Sequence, residues 1–155
     1  MKLLKIGILE HPFFRGLPQD YVTLAMRNAK RIEYGADELL FQEGEPANRL
    51  FLIESGKVAV ESPRECRCGE DVIQTVGAGE VVGWSWLFPP FAWHFQARTL
   101  EPTRAVVLDG GHLLVKAEED PKFGYLLMRR VAQIVVNRLQ ISRKKLAQAT
   151  CADAA

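Results

Sequence analysis

From Lys30 to Leu108 apolar and polar positions alternate in short runs, whereas on either side the apolar positions recur every three or four residues. The runs Leu39 to Phe41, Leu50 to Ile53, Lys57 to Val60, Val72 to Val76, Phe95 to Thr99 and Ala105 to Leu108 have strand character. Turn signals separate them: Glu43-Gly44-Glu45-Pro46, Glu54-Ser55-Gly56, Gly77-Ala78-Gly79 and Glu101-Pro102-Thr103. Many short strands at such spacing predict a small β-barrel or jelly roll.

The flanks read as helix. His11-Pro12-Phe13-Phe14 is a turn, Pro18 is suited to a first helical turn, and Tyr21, Leu24, Ala25 and Asn28 follow at helical spacing. After Asp109-Gly110-Gly111 a short helix is expected over His112 to Ala117. A long one follows from about Pro121 to Gln148, with Asp120 as its N-cap. Along it Leu127, Val131, Ile134 and Ile141 form one apolar stripe, and Met128, Ala132, Val135, Leu139 and Leu146 a second beside it. One stripe suffices to dock a helix on a barrel; two make a face wide enough to seat a partner as well. The tail from Thr150 to Ala155 is small and polar and is expected to fray.

Composition narrows the class. The 155 residues carry 20 Lys+Arg against 19 Asp+Glu, a net charge of +1, with 48% hydrophobic and 25% charged residues. This is the balance of one ordinary globular domain, without a general field for nucleic acid or lipid. No apolar run approaches the roughly 18 residues of a membrane span. Met1 to Glu10 lacks the apolar core and cleavage site of a signal peptide. Cys66, Cys68 and Cys151 are an odd number without a disulfide framework. A reduced, cytoplasmic protein is expected.

The order of helix, β-roll and long amphipathic helix carries specific segments. Leu39-Leu40-Phe41-Gln42-Glu43-Gly44-Glu45-Pro46-Ala47 precedes Leu50-Phe51-Leu52-Ile53-Glu54-Ser55-Gly56-Lys57-Val58-Ala59-Val60, and Gly77-Ala78-Gly79-Glu80-Val81-Val82-Gly83 comes later. Over roughly residues 10 to 146 the chain resembles the cyclic-nucleotide-binding domain of the catabolite activator protein, kinase regulatory subunits and gated channels. The resemblance implies a mainly β fold with flanking helices. That fold is a double-stranded β-helix, or jelly-roll, with an N-terminal helical segment (10–29), a β-roll (30–108) and C-terminal helices (112–148) in one stand-alone domain, 1–155.

In the family a phosphate-binding cassette reads Gly-Glu-x-x-Gly-Glu-x-x-Leu, then Pro-Arg-x-Ala; the second Glu holds the ribose and the Arg the cyclic phosphate. Here the ribose Glu falls on Trp84. Counting back from Gln96-Ala97, the phosphate Arg falls on Phe91, or on Ala92 after a one-residue slip. Hydrogen bonds to charged groups contribute roughly 1.5–3 kcal/mol each. Losing both contacts removes about 3–6 kcal/mol, or about two to four decades of affinity. Cyclic AMP or GMP is therefore expected to bind weakly or not at all. Arg98 and Arg104 are candidate replacements, and backbone N–H groups near Gly83 to Ser85 can still receive an anion.

Aromatic residues stand where the ligands are missing. Trp84, Trp86, Phe88, Phe91, Trp93 and Phe95 fall within twelve residues and include all 3 Trp. They either build a pocket for a flat ligand or a protein anchor, or fill a vestigial cavity. The candidate ligand set is Gly79, Glu80, Val82, Gly83, Trp84, Ser85, Trp86, Pro90, Phe91, Ala92 and Trp93. The candidate dimer helix presents Leu127, Met128, Val131, Ile134, Val135, Leu139 and Leu146.

Other chemistries are less well supplied. A cupin-like metal enzyme needs converging histidines, and His94 is alone in the barrel zone, with His11 and His112 outside it. Cys66-Arg67-Cys68 lies in a polar hairpin with no second thiol pair. Arg138, Arg143, Lys144 and Lys145 read as a solvated basic face near a helix C-terminus. The chain ends at Ala155 without a helix-turn-helix, so sequence-specific DNA reading is not expected. No nucleophile, acid and base converge. The reading is a non-enzymatic regulatory module without cofactor or metal that senses an unclassical ligand and forms a homodimer through its last helix. The alternatives are a ligand-free scaffold subunit and, remotely, a metal enzyme.

Overall fold

Residues 8, 10–62 and 72–153 are described by the computed structural model; Cys66 and Cys68 lie outside them. Eight strands form two antiparallel sheets: β1 (Lys30–Tyr34), β8 (Thr103–Asp109), β3 (Arg49–Ser55) and β6 (Val81–Val82) in one, β2 (Leu39–Phe41), β7 (Gln96–Thr99), β4 (Lys57–Glu61) and β5 (Val72–Gly77) in the other. Helices flank them, among the described residues α1 (Gln19–Ala25), α2 (Gly110–Glu119) and α3 (Pro121–Asp153). This is the expected roll between an N-terminal helix and a long C-terminal one.

The core runs along β3. Its register places Phe51 between Val107 of β8 and Val82 of β6. Leu50, Phe51, Leu52 and Ile53 are all fully buried, so the middle of this strand has no solvent face. Burial of each such side chain contributes roughly 1.5–3 kcal/mol. The alternation expected of a half-exposed strand fails here because helical segments cover the sheet: α2 packs against β3 and β8, and His11 bonds the Ile53 carbonyl.

Several boundaries differ from the sequence expectation. The helical segment expected over 10–29 contracts to Gln19–Ala25, with Pro18 at the N-cap. The residues before it form tight turns, and Asn28, at φ 66°, ends the segment in the left-handed region. Strand β1 has too much charge (Lys30, Arg31, Glu33) to show an apolar run. It pairs with β8 and links across to it through Arg104–Glu33, 2.8 Å. The last helix continues to Asp153 where a frayed tail was expected.

Aspartates start both C-terminal helices. Asp109 accepts the His112 N–H at 3.1 Å, and Asp120 accepts those of Lys122 and Phe123 at 3.1 and 3.3 Å. The helices cross closely at Gly124, where a Cβ would sit 2.6 Å from the Ala117 carbonyl oxygen. Phe123, Leu127 and Val131 are buried against the roll and Ile134 packs beside them. Farther along, basic side chains grip backbone carbonyls. Arg130 donates to Pro12 and Arg15, Arg138 to Val81 at 3.2 Å, and Lys145 to Ile73 at 2.7 Å. Among the described residues no helix is long and apolar enough to cross a membrane.

Candidate functional site

The segment after β6 is shaped by one close approach. Gly83, at φ 93°, lies where a Cβ would meet both the Arg49 carbonyl and the Trp93 ring at 3.0 Å. Only glycine suits that backbone without displacing something. A single 3-10 turn, Ser85–Leu87, follows. Trp86 turns into the core, donating from Nε1 to the Gly83 carbonyl at 2.8 Å and lying over Gly110.

The chain then reverses at an apolar tip. The Phe91 N–H bonds the Phe88 carbonyl at 2.9 Å, and Phe91 adopts φ 58°, strained for an aromatic residue. Phe88 and Phe91 are each about two-fifths exposed, at 41% and 42%. From there the chain is tied to the turn before β3: Ala47 N–H to Phe91, Trp93 N–H to Glu45, and Gly44 N–H to Trp93, at 2.7 to 3.0 Å.

These bonds set Trp93 flat on Phe41, with Phe41 in turn against Phe51. A void of about 20 Å³ lies between Phe41, Val60, Trp84, Trp93, Phe95 and Arg138. Ligand sites measure on the order of 300–1,000 Å³, so this void has room for about one water. The Arg138 guanidinium stands 5.6 Å above the Trp84 ring, a cation–π arrangement. Burial pulls its pKa below the usual arginine value, and the Glu80 charge partly offsets this. Trp84 Nε1 is buried without a hydrogen-bond partner among the described residues.

The predicted ligand set therefore divides. Val82, Gly83, Trp84, Ser85 and Trp93 line the small void. Gly79 and Glu80 line a separate groove beneath α3. Trp86 belongs to the core, and Pro90, Phe91 and Ala92 lie at or beside the exposed tip, away from the void. The candidate cations are committed elsewhere: Arg98 to Asp37 and Glu61, Arg104 to Glu33.

The predicted dimer helix divides too. Leu127 and Val131 are buried in the chain's own core and Ile134 packs against it, which removes these three from the outer face. Met128, Val135, Leu139 and Leu146 remain exposed, as does Ile141. Arg138 corrects the expectation of a solvated basic face, because its side chain reaches inward over Trp84. The signal was present: it follows Val131 by seven residues and Ile134 by four, on the docking stripe. Among the described residues no three His, Cys, Asp or Glu side chains converge for a metal.

The family profile described as Cyclic nucleotide-binding domain matches residues 31–120. The chain is 25% identical over 134 residues to the CRP-like cAMP-activated global transcriptional regulator of Mycobacterium tuberculosis. That alignment covers 86% of this chain and 58% of the regulator, so the chain spans little more than half the length of this relative. Among solved structures, a cyclic nucleotide-binding domain from Methylobacillus flagellatus superposes with a TM-score of 0.79 at 24% identity. It covers 96% of this chain and 84% of its own. A putative cyclic nucleotide-binding protein from Geobacter metallireducens gives 0.77 at 23% identity, over 90% and 98%. At these identities the two structures establish the fold.

Proposed function

Because the chain belongs to the cyclic nucleotide-binding domain family, we propose that it is a non-enzymatic regulatory module whose roll no longer seats a cyclic nucleotide and whose output is the outer face of α3. One observation carries this reading. The volume available between Trp84 and Trp93 is about 20 Å³, filled on its other sides by Phe41, Phe95 and Arg138. The substitution of Trp84 and Phe91 for the family's ribose and phosphate ligands points the same way, since a nucleotide would find neither partner.

The partner for the outer face is a second copy of this chain. Met128, Ala132, Val135, Leu139 and Leu146 are all exposed and recur at spacings of four, three, four and seven. That is the repeat of a two-stranded seam, and such a seam is self-complementary. The stripe beside it, Leu127 and Val131, is already used by the roll. A dimer built this way couples each roll to the other through α3.

Calorimetric titration of cyclic AMP and cyclic GMP tests the first half. Silence up to about a millimolar is expected from the missing contacts; micromolar binding to the roll would overturn it. A second reading, a ligand-free interaction subunit, is favoured by the exposed apolar tip at Phe88 and Phe91. It differs in requiring that no small molecule change the protein's state at all.

A further inference from the structure

A second space lies on the other side of Arg138. It measures about 220 Å³ and, among the described residues, shares only Arg138 with the filled void. The N-terminal turn supplies Phe13, β5 supplies Val76, and α3 supplies Ile134, which together make an apolar floor. Two guanidinium groups, Arg130 and Arg138, stand over it with the amides of Gln133 and Asn137 between them. Those four positions fall on one helical face by their spacing of three, four and one.

The charge of this groove is unbalanced. Among the described residues that line it, Glu80 is the one acid against two arginines, and its carboxylate already accepts the Gly77 N–H at 2.6 Å. Among the described residues no carboxylate lies in ion-pair range of Arg130 or Arg138; both donate to backbone carbonyls instead. Each guanidinium carries five N–H donors, so several remain unused. A purely apolar occupant would desolvate these donors without pairing them. A cation would meet repulsion. A polyanion would exceed the single excess positive charge of the described lining and leave the apolar floor bare.

We propose that this groove binds a small organic monoanion, a carboxylic acid with a flat or branched hydrocarbon body, its carboxylate on Arg130 and Arg138 and its body on Phe13, Val76 and Ile134. At about 220 Å³ the space suits a ligand smaller than drug-sized. The position gives occupancy a consequence. Arg130 and Arg138 tether α3 to the N-terminal turn and to β6, and a carboxylate competes with those carbonyls for the same N–H groups. Binding therefore redistributes the bonds that hold the helix to the roll.

The test uses the full chain labelled with nitrogen-15, sodium benzoate as probe, and neutral benzamide of the same shape as control, at constant ionic strength. Saturable shifts with benzoate in the millimolar range are expected at the amides of Gln74, Gly79 and Asn137. Benzamide should bind about tenfold more weakly, the effect of losing one charged contact. Arg138→Gln should weaken benzoate by a similar factor. Gln133→Glu, at an exposed position that leaves the fold intact, should abolish binding by placing a carboxylate in the groove. No saturable response, equal responses to benzoate and benzamide, or shifts centred on the Trp84 and Trp93 indoles would each overturn the assignment.

Discussion

The Trp93 indole lies flat on the ring of Phe41, with centroids 3.9 Å apart and planes inclined by 16°. Phe41 comes from β2, and Trp93 from the segment between the aromatic tip and β7, so the contact ties that segment to the sheet. It also fills space in the roll beside Trp84, where a void of about 20 Å³ remains. The same contact thus ties two segments together and fills the interior.

Cutting Trp93 to Ala should separate those two effects. The ring is buried at 3% exposure, and removing a buried aromatic costs about 3–5 kcal/mol. Urea unfolding should show that loss. Free indole should raise the unfolding midpoint of the variant by refilling the cavity, and leave the parent unchanged. A loss under about 1 kcal/mol would mean the site collapses, and the void argument with it.

The outer seam of α3 is tested by charge. Leu139 is 58% exposed, so Leu139→Glu should alter monomer stability by no more than about 0.5 kcal/mol. In a dimer the two glutamates would face each other across an apolar seam. Light scattering should therefore report a dimer for the parent and a monomer for the variant at the same concentration. A parent that is already monomeric at high concentration would remove the seam.

The frame was legible because turns and strands are local. Glu43-Gly44-Glu45-Pro46 and Glu54-Ser55-Gly56 mark reversals by their own chemistry, and Asp120-Pro121 marks a helix start. Strand β6 was not legible: Val81–Val82 is too short to show a period and exists by pairing with β3. The site was legible only in part. Counting residues gives Trp84 and Phe91 only as the expected positions of the family's ligands, and nothing local says that Trp93 stacks on Phe41, fifty-two positions away. Arg138 was misjudged for a related reason. A basic residue beside Arg143, Lys144 and Lys145 looks solvated until the roll beneath the helix is known to present an indole and a free carbonyl.

Two neighbouring glycines should respond in opposite directions. At Gly110 a Cβ would fall 2.6 Å from Trp86 Cγ, and that indole is pinned by its bond to the Gly83 carbonyl. The gain in helix propensity, about 0.8–1.0 kcal/mol, is outweighed by overpacking of about 1–3 kcal/mol. At Gly111 the nearest atom is the Asp109 carboxylate oxygen at 3.4 Å, an ordinary contact. Gly110→Ala should destabilise, and Gly111→Ala should stabilise by up to about 1 kcal/mol. Thermal unfolding of the pair decides it; equal shifts would mean Trp86 is free to move.

His11 makes stability depend on pH. Its Nε2 bonds the Ile53 carbonyl at 3.1 Å, and its Nδ1 accepts the Phe13 N–H at 3.2 Å. Only the neutral ring with its proton on Nε2 satisfies both, since a proton on Nδ1 would face the Phe13 N–H. Burial pushes the pKa below the ordinary 6.5, while the Ile53 carbonyl and the Glu54 charge pull partly back. With the folded pKa depressed, the unfolded chain takes the proton first as pH falls. The stabilisation is therefore complete above about pH 6.5 and lost as pH falls through the lower folded value, at no more than about 1.4 kcal/mol per pH unit. His11→Gln keeps a donor for Ile53 and cannot titrate, so its stability should change less with pH between about 7 and 5. The difference between the two urea profiles isolates His11 from every carboxylate common to both. A parent curve parallel to that of the variant would show that His11 takes its proton at the same pH folded and unfolded, and that its two bonds do not hold the N-terminal turn against acid.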